Sequence, residues 1–346
     1  MNSKNTILVT GGAGYIGSHT IIELLENTNL NVISIDNFSN SSIATFSRIE
    51  RITGKKVLNY EVDVCNEREL EKIFEKEKHI SGIIHFAAYK SVPESVANPH
   101  KYYHNNINSL LSVLNCCLKF NIYNFIFSSS CSVYGNIQKL PVTEETHLGK
   151  PESPYANTKQ IGESILKDFA NAHSQLQSIA LRFFNPVGAH VSGLIGEDPI
   201  NPPTSLVPVI TQTAIGKIKQ MTVHGTDYDT RDGSCIRDYI HVTDIAIAHI
   251  KALDYLSHNK QKANFSIFNL GTGNGVSVLE AIHAFEKVSK QKLNYLMGPK
   301  REGDVGAIYS DTSLSEKELG WKTIYTLDEM METAWKWQLK QSEEND

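Results

Sequence analysis

Between the apolar run Ile7-Leu8-Val9 and a helix-length stretch from about residue 16, the chain reads Thr10-Gly11-Gly12-Ala13-Gly14-Tyr15-Ile16-Gly17. Glycines at 11, 14 and 17, placed where a strand gives way to a helix, permit a tight turn, close approach of a ligand to the backbone, and close helix–sheet contact. The N–H groups at the start of such a helix face outward and can hold a pyrophosphate. A plain strand–helix turn also uses glycines, so the glycines alone do not decide between the two. Asp36 adds the weight: it closes the second strand-like run, Val32–Ile35, nineteen residues after Gly17. A carboxylate there accepts from adenosine ribose hydroxyls and repels a 2′-phosphate, and no arginine comes after it before Arg48, which favours NAD over NADP.

The same alternation continues through the first half. Val57–Val62, Ile83–Phe86, Phe125–Phe127 and Ile179–Phe183 read as strands, with helical patterns at about 16–27, 66–78 and 98–120 and another helix carrying Tyr155 and Lys159. That rhythm predicts an α/β fold of the Rossmann type, a doubly wound parallel sheet with right-handed crossovers. After Asn185 the texture changes. Residues 186–205 and 224–236 are polar, glycine-containing loops; 205–216, 242–257, 277–289 and 326–341 look helical; and Ile267–Leu270 reads as a strand returning to the sheet. The expected division is a cofactor-binding part at 1–186, with later returns at about 236–271, and a smaller, interleaved substrate-binding α/β part at 187–346. A length of 346 residues, 40% hydrophobic and 21% charged, suits such an enzyme. A net charge of −5 with no basic stripe argues against nucleic acid. The start runs straight into a strand with no leader-like segment, and no apolar run reaches membrane-spanning length, so no membrane association is expected. Cysteines 65, 116, 117, 131 and 235 lack CxxC or Cys/His spacing, which predicts free thiols in a reducing compartment, the cytoplasm by default, and no metal site.

The chemistry concentrates at Tyr155-Ala156-Asn157-Thr158-Lys159, preceded by Ser128-Ser129-Ser130. A free tyrosine has a pKa of about 10, too high for a base at neutral pH. A lysine at i+4 on the same helix face favours the phenolate, and lowering the value by ~3 units requires ~4 kcal/mol. A hydroxyl from the serine run would complete a proton path. Asp63-Val64 would lie beside the adenine, although Asp63 could equally cap the helix at 66–78. His85-Phe86-Ala87-Ala88 places small residues where a cofactor backbone passes, or simply packs the core.

These motifs resemble those of the extended short-chain dehydrogenases/reductases, and within them the UDP-glucose (UDP-galactose) 4-epimerase family. The resemblance runs almost end to end: TGGAGYIGSHT at 10–20, FAAYKSVPES at 86–95, YYHNN at 102–106, FSSSCSVYGN at 127–136, SPYANTKQ at 153–160, RFFNPVGAH at 182–190, DGSCIRDYIHV at 232–242 and REGDVGAIYSD at 301–311. It implies Tyr155 as base, Lys159 as its activator and a hold on the nicotinamide ribose, and Ser130 as hydroxyl partner, with Ser132 close enough to compete. It implies that Tyr15, Ile16, Asn37, Lys90, Asn105, Phe184 and Pro186 line the cofactor, and that Asn185 meets the substrate phosphate. Arg237 and Arg301 would clamp the UDP pyrophosphate with bidentate guanidinium forks. Asp304 would accept from the uridine ribose, and Ser205, Leu206, Thr222 and His224 would line the nucleotide.

The implied reaction oxidises a UDP-hexose at C4 with NAD, turns the 4-keto sugar, and returns hydride to the other face. Related dehydratases and decarboxylases carry an acidic residue just after the fifth-strand Ser/Thr, whereas this chain has Ser130-Cys131-Ser132. A non-catalytic NAD-sensing protein on the same fold commonly loses the tyrosine or lysine, and this chain keeps both. Three positions depart from the family pattern: Thr204-Ser205-Leu206 replaces Asn-Asn-Leu, His224 replaces an apolar or aromatic residue, and Ile308 stands at a gate where tyrosine restricts the pocket to plain hexoses. The resemblance also implies a homodimer, to which apolar faces built from Leu110, Leu111, Leu114, Cys117 and Leu118 and from Ile161, Ile165, Leu166 and Phe169 could contribute.

Overall fold

The computed structural model describes residues 5–258, 260–301 and 304–345. Strand β1 (Thr6–Thr10) is buried along its whole length, as a continuous apolar run is when helices cover both faces of a sheet. The alternation then proceeds through α1 (Tyr15–Asn27), β2 (Asn31–Ile35), α2 (Ala44–Thr53), β3 (Leu58–Tyr60), α3 (Glu67–Lys76), β4 (Ile80–His85), α4 (Val92–Ala97), α5 (Pro99–Lys119), β5 (Asn124–Ser130), α6 (Pro154–Ala172) and β6 (Gln177–Phe183). A further strand, Phe265–Leu270, pairs with β6 and makes the expected return. The spatial order is β3-β2-β1-β4-β5-β6 and then Phe265–Leu270, every pair parallel. The order reverses between β1 and β4, so the crevice opens beyond Thr10 and His85.

Side-chain alternation sorts the core into two layers. Ile7, Val9, Ile126 and Leu181 face α1 on one side, while Leu8, Ile83, Phe125 and Phe127 pack with Leu70, Leu114 and Leu166 on the other. The expected strand at 57–62 is shorter, since this edge strand pairs only at Leu58–Tyr60. The helix expected at 98–120 is α5, separated from α4 by Asn98, whose side chain accepts from the Lys101 N–H while Pro99 takes the first helical position. Helices α2 and α4 have no counterpart in the sequence pattern.

Beyond β6 come α7 (Leu206–Ala214), α8 (Val242–Ser257), α9 (Val278–Ser289), α10 (Ser313–Leu319) and α11 (Leu327–Asn345). Short strands knit this part to the sheet's carboxyl end: Tyr239–His241 pairs with Asn185–Val187, and Ile236–Arg237 lies between Val276–Ser277 and Ala307–Ile308. Met221–His224 pairs with Tyr295–Gly298. Its core gathers Val187, Ile210, Phe285, Met330 and Met331. The apolar faces of α5 and α6 divide as their pattern allows. Leu110, Leu114, Cys117 and Leu166 are fully buried, whereas Leu111, Leu118, Ile161, Ile165 and Phe169 remain partly exposed. All five cysteines are free thiols, and among the described residues no helix is long and apolar enough to cross a membrane.

Candidate active site

At the switch point the glycines do what their spacing requires. Gly11 has φ +72°, and a Cβ there would lie 2.8 Å from the Ala87 nitrogen. A Cβ on Gly17 would lie 2.2 Å from the Gly11 carbonyl oxygen, so only glycine lets α1 start this close to the turn. No side chain caps α1 and its first turn holds no acidic residue, which leaves a cradle suited to an anion. Asp36 is buried at the end of β2, where its carboxylate accepts from the Ala13 N–H at 2.9 Å, the Phe38 N–H at 2.9 Å and the Ser41 hydroxyl at 2.8 Å. A carboxylate has about four acceptor positions, so capacity for a ribose hydroxyl remains. Arg48 is committed elsewhere, to Asp198 and Glu344 at 3.5 Å each and over the Trp337 ring, and so does not answer a 2′-phosphate. These residues fit NAD.

Asp63 does not cap α3; it accepts from the Cys65 N–H at 2.9 Å, and Asn66 is the cap. Val64 is buried next to it. Phe86 packs at a tilt against the His249 ring, centroids 4.7 Å apart, and the Phe86 N–H donates to the Thr10 carbonyl, so the Phe86-Ala87-Ala88 segment follows the β1 turn closely. Asn105 donates to Asn106, which in turn bridges the Tyr89 backbone at both its N–H and C=O and the Thr158 hydroxyl. Asn106 thereby ties the loop after β4 to α6, a role not assigned to it from the sequence.

Helix α6 brings Tyr155 and Lys159 to the end of β5. Gly162 makes this possible, since a Cβ there would lie 2.7 Å from the Phe127 ring. Both side chains are buried. The Lys159 ammonium donates to the Ser128 carbonyl at 2.7 Å and lies 5.9 Å from the centroid of the Tyr155 ring. Burial pushes the Tyr155 phenol up to about 12, with the Ser130 hydroxyl opposing, and draws Lys159 down to about 8, with Glu163 opposing. In the protein alone burial is thus the dominant influence on the phenol and raises it, and the nearby lysine by itself does not lower it. Ser130 caps the turn Cys131–Tyr134 by accepting from the Ser132 N–H at 3.2 Å, and it is the serine that bears on Tyr155; the Ser132 hydroxyl oxygen is buried and makes no hydrogen bond. Beneath lies a network that the sequence did not disclose. Arg182 grips Glu163 at 2.9 and 2.6 Å, and Glu163 accepts from the Ser129 hydroxyl at 2.6 Å.

The nucleotide end gathers the later motifs. Arg237 donates to the Val305 carbonyl at 2.8 Å and lies 3.8 Å from the Asp304 carboxylate, which also accepts from Arg301 at 2.9 Å. The two arginines therefore converge on one aspartate, with Arg301 half exposed; Glu302 and Gly303 of that motif lie outside the described residues. The side-chain carbonyl oxygen of Asn185 is buried without a partner, as suits a group awaiting a ligand. Ser205 is the N-cap residue of α7 and Leu206 its first residue, but the serine does not cap the helix and reaches only Glu197, at 3.5 Å. Thr222 and His224, both half-buried, sit on the strand that pairs with Tyr295–Gly298. Ile308 is buried against Val133, Tyr134 and Phe184, which links the nicotinamide side expected at Phe184 to the sugar side. Cys131, whose thiol burial pushes up to about 12, feels both Arg237 and Asp238 and itself bears on Tyr155, so it lies between the Tyr155 and Arg237 groups.

Asp238, also missed, fixes that end. Fully buried, it accepts from the Thr272 N–H and hydroxyl at 2.7 Å each, the Gly273 N–H at 3.2 Å, and the Ser310 N–H and hydroxyl at 3.0 and 2.6 Å.

Comparison with known proteins agrees with this geometry. The sequence model of the GDP-mannose 4,6 dehydratase family matches residues 8–334. A UDP-glucose 4-epimerase from Pasteurella multocida is 48% identical over 334 residues, covering 96% of this chain and 97% of its own. The crystal structure of UDP-glucose 4-epimerase from Bifidobacterium longum, in complex with NAD+ and UDP, superposes with a TM-score of 0.93 at 46% identity, over 97% of this chain and 99% of that one. The UDP-Glc/GlcNAc 4-epimerase of Campylobacter jejuni superposes with a TM-score of 0.83 at 36% identity, over 97% and 99%. With near-complete coverage at such identity, the chain belongs to the UDP-glucose 4-epimerases, a branch of the extended short-chain dehydrogenase/reductase fold.

Proposed function

We propose that the protein interconverts UDP-galactose and UDP-glucose with NAD, and that the observation carrying this is the buried Tyr155–Lys159 pair on one side of Cys131 and the Arg237–Asp304–Arg301 cluster on the other. NAD, when bound, supplies a hydride acceptor for sugar C4 and a positive ring that favours the Tyr155 phenolate. Tyr155 exchanges the C4 hydroxyl proton, the Ser130 hydroxyl relays it, and Lys159 holds its charge beside the phenol. Gly11, Gly14 and Gly17 with Tyr15 and Ile16 cradle the pyrophosphate of the cofactor, and Asp36 and Asn37 take the adenosine ribose. Asp63, Val64, Phe86, Ala87, Ala88, Lys90, Asn105 and Phe184 line the rest.

On the substrate side, Arg237 and Arg301 hold the UDP pyrophosphate, Asp304 the ribose, and Asn185, Ser205, Leu206, Thr222 and His224 the remainder. Strong hold on UDP and a loose hexose let both faces of the 4-keto sugar be presented. The 4,6-dehydratase reading implied by the wider family lacks its acid: the turn Cys131–Tyr134 carries no carboxylate, and the nearby Asp238 is fully engaged by five donors. Ile308, smaller than tyrosine, leaves room for UDP-GalNAc and UDP-GlcNAc as second substrates, a reading favoured by the likeness to the C. jejuni enzyme. The division into a cofactor part, 1–186 with a return near 236–271, and a substrate part, 187–346, belongs to this proposal. So do a homodimer through the partly exposed faces of α5 and α6 and residence in a reducing cytoplasm, the latter supported by five free thiols.

The test is product analysis by NMR on purified protein without added NAD, with UDP-galactose and UDP-GalNAc offered separately. Formation of UDP-glucose is expected. No conversion of either, even with NAD supplied, would defeat the proposal.

A further inference from the structure

We infer that Glu197 is a latch for the cofactor: it holds the Lys90 ammonium across the mouth of the crevice, so that NAD leaves only when this ion pair opens. The inference rests on the placement of NAD at the start of α1 proposed above.

Glu197 lies in the loop that leads from Val187 to α7, on the substrate side of the cleft. Its carboxylate stands 2.7 Å from the Lys90 ammonium, which belongs to the loop after β4 on the cofactor side. Lys90 is about half exposed, at 51%, whereas Glu197 is 13% exposed, so the carboxylate is the fixed member of the pair. The ammonium lies 5.9 Å from the centroid of the Tyr15 ring, and Tyr15 is the first residue of α1. The pair therefore spans the end of α1 that has free N–H groups and no cap.

The segment carrying Glu197 is pinned from three directions. The Trp337 indole donates to the Glu197 carbonyl at 3.0 Å, Arg48 pairs with Asp198 at 3.5 Å, and the Tyr15 hydroxyl donates to the Gly188 carbonyl at 2.6 Å. Tyr15, Glu197 and the α7 residues Val207 and Pro208 line one cavity of about 20 Å³, so α1, the latch segment and α7 meet there. The carboxylate oxygen that meets Lys90 also accepts from the Ser205 hydroxyl at 3.5 Å, at the start of α7.

An ammonium has three donors; one spent on Glu197 leaves two for a cofactor oxygen. A lysine anchored in this way keeps its head over the anion site instead of sampling solvent, which slows escape of whatever the site holds. Glu197 takes no part in the proton path and is a positioning residue.

The test uses purified full-length protein loaded with NAD, with NAD release followed by fluorescence after dilution. Glu197→Gln is expected to release NAD about fivefold faster, the size a partly buried ion pair supports, and turnover lost without added NAD is expected to return at saturating NAD. Lys90→Gln is expected to speed release too, and the double variant to be no faster than Lys90→Gln alone, because the two act through one contact. Unchanged release in Glu197→Gln, or effects that add in the double variant, would overturn the latch while leaving the epimerase reading intact. Wild-type protein that takes up no NAD would overturn the cofactor placement and the latch together. If Glu197→Gln does not fold, Glu197→Asp, one methylene shorter, replaces it with the same expected and overturning results.

Discussion

Exchanging Asp238 for asparagine removes one charge and almost no volume, yet the structure predicts a large effect. The carboxylate accepts five hydrogen bonds in a fully buried site, three of them from the backbone N–H groups of Thr272, Gly273 and Ser310. An amide offers one acceptor and presents a donor in place of the other oxygen. Turned one way it abandons the Thr272 N–H, and turned the other way it abandons those of Gly273 and Ser310; the hydroxyls can rotate, but the amides cannot. One or two buried N–H groups left unpaired cost about 1–3 kcal/mol each, so about 2–4 kcal/mol is expected in all. For a chain of this size that lowers the thermal midpoint by about 3–6 °C. The bonds tie together the segments beside Arg237 and Ile308, so KM for UDP-galactose should rise more than kcat falls. Thermal melting with initial rates over a UDP-galactose series checks both. A variant melting within about 1 °C of the parent with unchanged KM would refute the reasoning.

Tyr155→Phe is expected to lower kcat by at least about 10²-fold, the usual worth of a general acid–base group, with UDP affinity by calorimetry nearly unchanged; full activity in the variant would remove Tyr155 from the proton path. Burial draws Lys159 down to about 8, so its charge is lost as pH rises through that value and kcat should fall on the alkaline side; a kcat profile flat to about pH 10, near the ordinary lysine value, would contradict this. Gly17→Ala sets a Cβ 2.2 Å from the Gly11 carbonyl, which must move, so the purified variant should carry far less NAD by absorbance and chromatography than the parent. Glu23, raised to about 7 mainly by burial, holds a proton in the folded state that the unfolded chain releases near pH 4.5. Its contribution is therefore present at pH 4 and lost as pH rises through 7, and Glu23→Gln should raise the melting temperature at pH 8 but scarcely at pH 5; equal shifts at both would count against it.

The parts of the site that could be read from the chain are those whose chemistry is local. Gly11, Gly14 and Gly17 act within one turn, Tyr155 and Lys159 within one turn of helix, and β1 to β6 announce themselves by apolar runs between helical periods. The residues that escaped notice depend on partners far away in sequence. Asp238 works only through residues 34, 35 and 72 positions on, and Arg182 through Glu163 on the helix before it and Tyr134, 48 positions back. The two- and three-residue strands at Asn185–Val187, Ile236–Arg237 and Ala307–Ile308 are too short to carry a period and exist because their neighbours pair with them. The same holds for electrostatics: spacing put Lys159 beside Tyr155, but burial, which spacing does not report, decides which way both groups titrate.

The sheet also has a history during synthesis. Strand β6 ends at Phe183, and the strand that covers its outer side does not begin until Phe265. At ordinary elongation rates of about 5–20 residues per second, the ribosome needs roughly 4–16 s to deliver the intervening chain. For that time the seven-residue β6, with Ile179, Leu181 and Phe183 along it, stands as an open edge able to template pairing with another nascent chain. A fragment stopped near residue 186 would keep that edge open permanently and should aggregate, so the first half of this protein is a poor candidate for expression by itself, however complete its nucleotide cradle.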